Sequence, residues 1–140
     1  MTNEVNAHSA WRSLPLSLDA FGDVWDAIFA LAGETPQTKA AMLACDEWVA
    51  NVVAYSGATR FCFQCARDAG SLCIAFSDDG VPFDPTADRG DSLLDFENQD
   101  LGGMGLGLIR QTASEMRYRR EDSLNILELR FPLSRVTVQS

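Results

Sequence analysis

Three groups of residues have types and spacings that could do chemistry. Glu47 and Asn51 stand four apart in ACDEWVANVVAY, a spacing that on a helix puts a carboxylate and an amide on one flank. The pair is either part of a site or a solvated helix edge carrying a favourable polar contact. Asp78 stands in SDDGVPFDP, where a strand meets a tight turn at Gly80. A carboxylate there can accept a hydrogen bond from an exocyclic amine such as the one adenine carries, although D-D-G alone is also an ordinary turn sequence. Gly102, Gly103, Gly105 and Gly107 open GGMGLGLIRQTASEM. Glycines just before a helix let backbone amides approach a ligand and suit phosphate, while close helix packing selects glycine as well.

The glycine run lacks the G-K-[ST] of a Walker loop and the spacing of a Rossmann turn. Cys62 and Cys65 form a C-x-x-C, but their segment alternates like a strand, which sends residues three apart to opposite faces. No second pair supports a metal, and the single histidine is His8 near the N-terminus. All 4 cysteines lie in apolar stretches, where reduced core thiols are expected.

The elements that must position these groups are legible from periodicity. From Ser17 to Gly33, Leu18, Phe21, Val24, Trp25, Ile28, Leu31 and Ala32 recur at helical spacing, with Ser17 as a cap and Gly33 as a stop. After a turn at Glu34-Thr35-Pro36, a second helix is predicted from about Gln37 to Tyr55, closed by Gly57. Its apolar stripe is Ala41, Cys45, Trp48, Val49 and Val52. Phe61, Phe63 and Cys65, then Leu72, Ile74 and Phe76, alternate around Asp68-Ala69-Gly70 as a β-hairpin. Residues from about Thr86 to Asp100 are polar with little periodicity and read as a mobile loop. Strands are expected again around Met116 to Arg120 and Leu124 to Phe131, joined near Glu121-Asp122-Ser123. This order suggests an α+β fold, a two-layer sandwich with helices on one face of a mixed, mostly antiparallel sheet.

A chain of 140 residues supports one core. The net charge of −9 argues against direct nucleic-acid binding. It fits a basic protein partner, or simply a solvated acidic surface. No apolar run is long enough to span a bilayer and no signal pattern opens the sequence, so no membrane association is expected and the cytoplasm is the expected location.

Taken together and in order, Glu47 with Asn51, Asp78 with Gly80, and Gly103-x-Gly105-x-Gly107 resemble the N, G1 and G2 boxes of the GHKL ATPases, which share the Bergerat fold. Within that superfamily ACDEWVANVVAY, SDDGVPFDP and GGMGLGLIRQTASEMRYRRE resemble the anti-sigma-factor serine kinases. PFDP at Pro82 to Pro85 and RYRRE at Arg117 to Glu121 carry the likeness to that branch. It implies a histidine-kinase-like ATPase domain over 12–132, between tails at 1–11 and 133–140, with 86–101 as the ATP lid. It further implies that Asn51 ligands a Mg²⁺ ion bridging the ATP phosphates and that Glu47 is the general base. Asp78 and Gly80 would serve the adenine, and Gly103, Gly105 and Gly107 the phosphates. The implied activity is phosphorylation of a serine on a STAS-domain anti-anti-sigma partner, with sequestration of a sigma factor in a partner-switching scheme, by a homodimer. An ATP-binding interaction module with little or no kinase activity is the alternative.

The sequence departs from the family after Asn51, where Ala54 and Tyr55 stand in place of a basic residue and histidine. A missing cation there weakens the hold on phosphates. Arg89 and Arg110 are the candidate replacements, unless Arg89 is a solvated surface charge and Arg110 forms a helix-surface salt bridge.

Overall fold

The computed structural model describes residues 10–87 and 103–133. In chain order they form β1 (Arg12–Ser13), α1 (Ala20–Ala32), α2 (Pro36–Tyr55), β2 (Phe61–Asp68), β3 (Ser71–Asp78), α3 (Gly103–Thr112), β4 (Glu115–Glu121) and β5 (Leu124–Pro132). The sheet has 5 strands in the order β1-β2-β3-β5-β4, and every pairing is antiparallel. The expected α+β class holds. The chain leaves β3, passes through α3, and places β4 at the sheet edge before β5 returns to pair with β3.

Strand register explains why one face of the sheet becomes the core. Phe61, Phe63 and Cys65 of β2 face Asp78, Phe76 and Ile74 of β3, and these face Asn125, Leu127 and Leu129 of β5. Since side chains alternate along a strand, these residues share one face. Val24 and Ile28 of α1, Cys45, Trp48 and Val49 of α2, and Ile109 of α3 are buried against it. Each large apolar side chain removed from water in this way contributes about 1.5–3 kcal/mol. The expectation that Cys62 and Cys65 point to opposite faces fits, since Cys65 packs on the core while Cys62 pairs with Ser77 on the other face, and no described cysteine is in a disulfide.

Helix boundaries follow local chemistry, with one correction. The helix predicted from Ser17 starts instead at Ala20 behind Asp19, whose side chain makes no cap bond. The Ser17 hydroxyl accepts from the Asp19 amide at 3.2 Å, inside the preceding turn, and Leu18, 60% exposed, leaves the apolar stripe. At α2, Thr35 and Thr38 cap each other reciprocally and Pro36 takes the first helical position, where a missing N–H costs nothing. Gly57 follows the cap at a φ of 70°, the left-handed geometry that suits glycine after a helix. In the β2–β3 hairpin it is Ala69, not Gly70, that adopts positive φ, at 57°.

Candidate functional site

The site begins on α2. The Trp25 indole donates to Asp46 Oδ1 at 2.6 Å, tying α1 to α2 and fixing how α2 is rotated about its axis. With Trp48 and Val49 turned into the core, Glu47 is exposed and Asn51 half-buried. Leu43, Glu47, Asn51 and Tyr55 then form a row, each four residues from the next. Neither the Glu47 nor the Asn51 side chain makes a hydrogen bond to a described residue. Ala54 and Tyr55 are exposed at the end of the same helix.

Asp78 ends β3, is 3% exposed, and accepts at Oδ1 from the Gly80 amide at 2.8 Å and from Asn125 Nδ2 at 3.0 Å. Burial raises its pKa, while the bonds from Asn125 and Gly80 and the charge of Arg120 pull the other way. Asn125 is a polar residue on the inner face of β5, and sequence reasoning overlooked it. Carrying the Leu127, Leu129 and Phe131 alternation back two residues would have placed an amide in the core.

Gly80 does more than open the turn. A Cβ built on it would lie 2.5 Å from the Ser56 carbonyl oxygen, and the Val81 amide donates to that oxygen at 2.9 Å. The helix bearing Glu47 and Asn51 is therefore fastened to the turn bearing Asp78. Asp79 strengthens the join by accepting from the Thr59 amide at 2.7 Å, the Thr59 hydroxyl at 2.6 Å and the Arg60 amide at 2.9 Å. These bonds draw its pKa down to about 2. Asp79 was also missed, because adjacent aspartates in a turn give no sign of which one faces inward.

The PFDP segment bridges α2 and α3. Phe83 stacks on Trp48 with centroids 6.2 Å apart, and Asp84 Oδ1 accepts from the Thr86 amide at 2.8 Å. Arg110 donates to the Pro85 and Ala87 carbonyls at 2.8 and 3.4 Å. Arg110 thus neither forms the helix-surface salt bridge weighed from sequence, among described residues, nor stands free as a replacement cation. It clamps the start of the segment read as a lid. Most of that segment, with Arg89 and Gly102, lies outside the described residues.

α3 packs against α2. Gly103 is its first residue, so Gly103, Gly105 and Gly107 occupy its first two turns and do not form a loop before it. A Cβ at Gly107 would meet nothing within 4 Å, so close helix packing is not what calls for glycine there. No group of three or more His, Cys, Asp or Glu among the described residues is arranged to hold a metal ion. The one amide oxygen of Asn51 suits Mg²⁺ held mainly by phosphates and water, the manner in which this cation binds nucleotides. No helix among the described residues is long and apolar enough to cross a membrane.

The chain belongs to the histidine kinase-like ATPase domain family, whose model matches residues 13–131; it is an ATP-binding module of the kinase type within the GHKL superfamily. No curated protein matches it. Among solved structures it is similar to the Erythrobacter litoralis EL346 blue-light activated histidine kinase, at a TM-score of 0.54 and 17% identity over 84% of this chain and 42% of that one. It is also similar to the Acinetobacter baumannii histidine kinase AdeS, at a TM-score of 0.51 and 11% identity over 89% of this chain and 68% of that one. At these identities the likeness is one of fold. The chain spans less than half the length of the first of these proteins.

Proposed function

We propose that this domain, 12–132, is an ATP-dependent protein serine kinase that phosphorylates a STAS-domain anti-anti-sigma partner and sequesters a sigma factor, acting as a homodimer. The observation that carries the kinase reading is the placement of Glu47. It stands exposed one helical turn before Asn51, on a helix whose end is fastened to the Asp78 turn, and it has no structural partner among the described residues. Nucleotide binding alone does not call for a carboxylate there.

In this reading Asp78 accepts a hydrogen bond from the adenine amino group and Gly80 keeps the turn against α2. Gly103, Gly105 and Gly107 would line the phosphate site at the start of α3, where the amides of the first turn are unbonded. Asn51 would contribute a ligand to Mg²⁺, which would supply positive charge to offset that of the phosphates. Glu47 takes the proton of the attacking serine hydroxyl. The RYRRE and PFDP stretches support the serine-kinase branch over the histidine kinases.

Ala54 favours a second reading, an ATP-binding interaction module without transfer. It is exposed at the end of α2, where the family commonly offers a cation, and Arg110 is engaged with backbone carbonyls instead. Incubation with γ-labelled ATP, Mg²⁺ and a STAS-domain protein separates the two. Acid-stable phosphoserine supports the kinase, and ATP binding without transfer supports the module. Acid-labile phosphohistidine would overturn both.

A further inference from the structure

A polar cluster interrupts the inner, otherwise apolar face of β4 and β5. Asn125, 3% exposed, is bonded at both ends of its amide. Its Nδ2 donates to Asp78 Oδ1 at 3.0 Å and to the Val81 carbonyl at 2.9 Å. Its Oδ1 accepts from the Tyr118 hydroxyl at 2.5 Å and from Arg120 Nη1 at 3.1 Å. Arg120 Nη1 donates in addition to the Gly80 carbonyl at 2.8 Å.

An asparagine amide can be turned either way, and here its surroundings decide. A guanidinium has no acceptor, so the amide atom facing Arg120 has to be the oxygen; a carbonyl has no donor, so the atom facing Val81 has to be the nitrogen. The NH₂ is thereby aimed at Asp78. Both bonds to Asp78 fall on Oδ1, and Oδ2 accepts none from the described residues.

We propose that Tyr118 and Arg120 are positioning residues that set purine selectivity: by orienting the Asn125 amide they occupy Asp78 Oδ1 and leave Oδ2 as a lone acceptor, matched to a 6-amino purine and mismatched to a 6-oxo purine. This rests on the nucleotide-binding reading of the Asp78 turn. A 6-oxo oxygen against Oδ2 brings two acceptors together with no proton between them, and such a buried mismatch discriminates strongly. Loss of either donor to Asn125 Oδ1 loosens the amide, and one support for the ionised carboxylate weakens. Burial then favours a proton on Asp78, and a protonated Oδ2 can donate to a 6-oxo group.

The test uses the full chain and competition of ATP and inosine triphosphate (ITP) against a fluorescent ATP analogue. The unmodified protein is expected to prefer ATP. Tyr118→Phe keeps the ring against the core and removes only the hydroxyl, and Arg120→Met removes the guanidinium. Each is expected to narrow the ATP-to-ITP preference by about 5- to 10-fold, the loss of one hydrogen bond. Arg120→Lys should restore part of it. A merely structural role would weaken both nucleotides alike, so an unchanged ratio in whichever variant folds overturns the proposal. ATP binding by the unmodified protein with that unchanged ratio overturns this proposal alone. Failure of the unmodified protein to bind ATP at all overturns the nucleotide-binding reading as well.

Discussion

Gly80 meets Ser56 at the C-terminal cap of α2 so closely that a side chain on Gly80 would place its first carbon 2.5 Å from the Ser56 carbonyl oxygen. The two candidate-site segments touch here backbone to backbone, and backbone cannot swing aside as a flexible side chain can. Gly80→Ala is therefore expected to cost about 1–3 kcal/mol of stability. It should also weaken ATP binding, because the Asp78 turn has to move away from α2. Denaturant unfolding beside nucleotide titration checks this, and a variant with unchanged stability would refute the close approach.

Glu47 is exposed and holds no structural partner among the described residues, so Glu47→Gln should change stability by no more than about 0.5 kcal/mol. Phosphoryl transfer is expected to fall by about 100-fold or more, the usual scale of a general base, with ATP affinity little altered. Single-turnover assays with labelled ATP, run beside binding measurements, supply the comparison. Transfer at the normal rate would remove the base assignment.

Arg110 joins α3 to the PFDP segment through the Pro85 and Ala87 carbonyls. Arg110→Ala is expected to lower stability by about 1 kcal/mol and to raise the KM for ATP more than it lowers kcat. Arg110→Lys, with one ammonium in place of a fork, should recover only part of the loss. An Arg110→Ala variant with unaltered KM would show that the clamp does not bear on the nucleotide.

The pKa values of Asp78 and Asp79 are shifted in opposite directions. The pKa of Asp79 is drawn down to about 2 by its three hydrogen bonds. Its contribution to stability is thus complete above the ordinary aspartate range and is lost as pH falls toward about 2. Asp79→Asn is expected to flatten that acid limb in unfolding curves recorded at successive pH values. Asp78 is raised by burial, so ATP affinity should decline at a higher pH than an ordinary aspartate would give. Asp78→Asn should weaken binding at neutral pH, since the replacement amide can present a donor where an acceptor is needed.

What the sequence determined by itself was whatever depends on neighbours along the chain. Periodicity of 3.6 and 2 residues located the helices and strands, with the start of α1 misplaced because Leu18 fits the helical stripe but lies before the first helical turn. The four-residue spacing of Glu47 and Asn51 likewise required only that the segment be helical. Family resemblance was readable because its motifs are local strings.

Tertiary structure decided the contacts between strings. Nothing local to Ser56 indicates that it abuts Gly80, and nothing local to Arg110 indicates that its guanidinium meets two backbone carbonyls in place of phosphate or a carboxylate. Asn125 is the clearest case. Its position on the inner face followed from alternation, but its chemistry followed from strand order, because β5 lies between β3 and β4. That placement sets one amide between Asp78 on one side and Tyr118 and Arg120 on the other. Hydrogen bonds depend on short distances and fixed directions, and only the folded chain brings these residues within reach of one another.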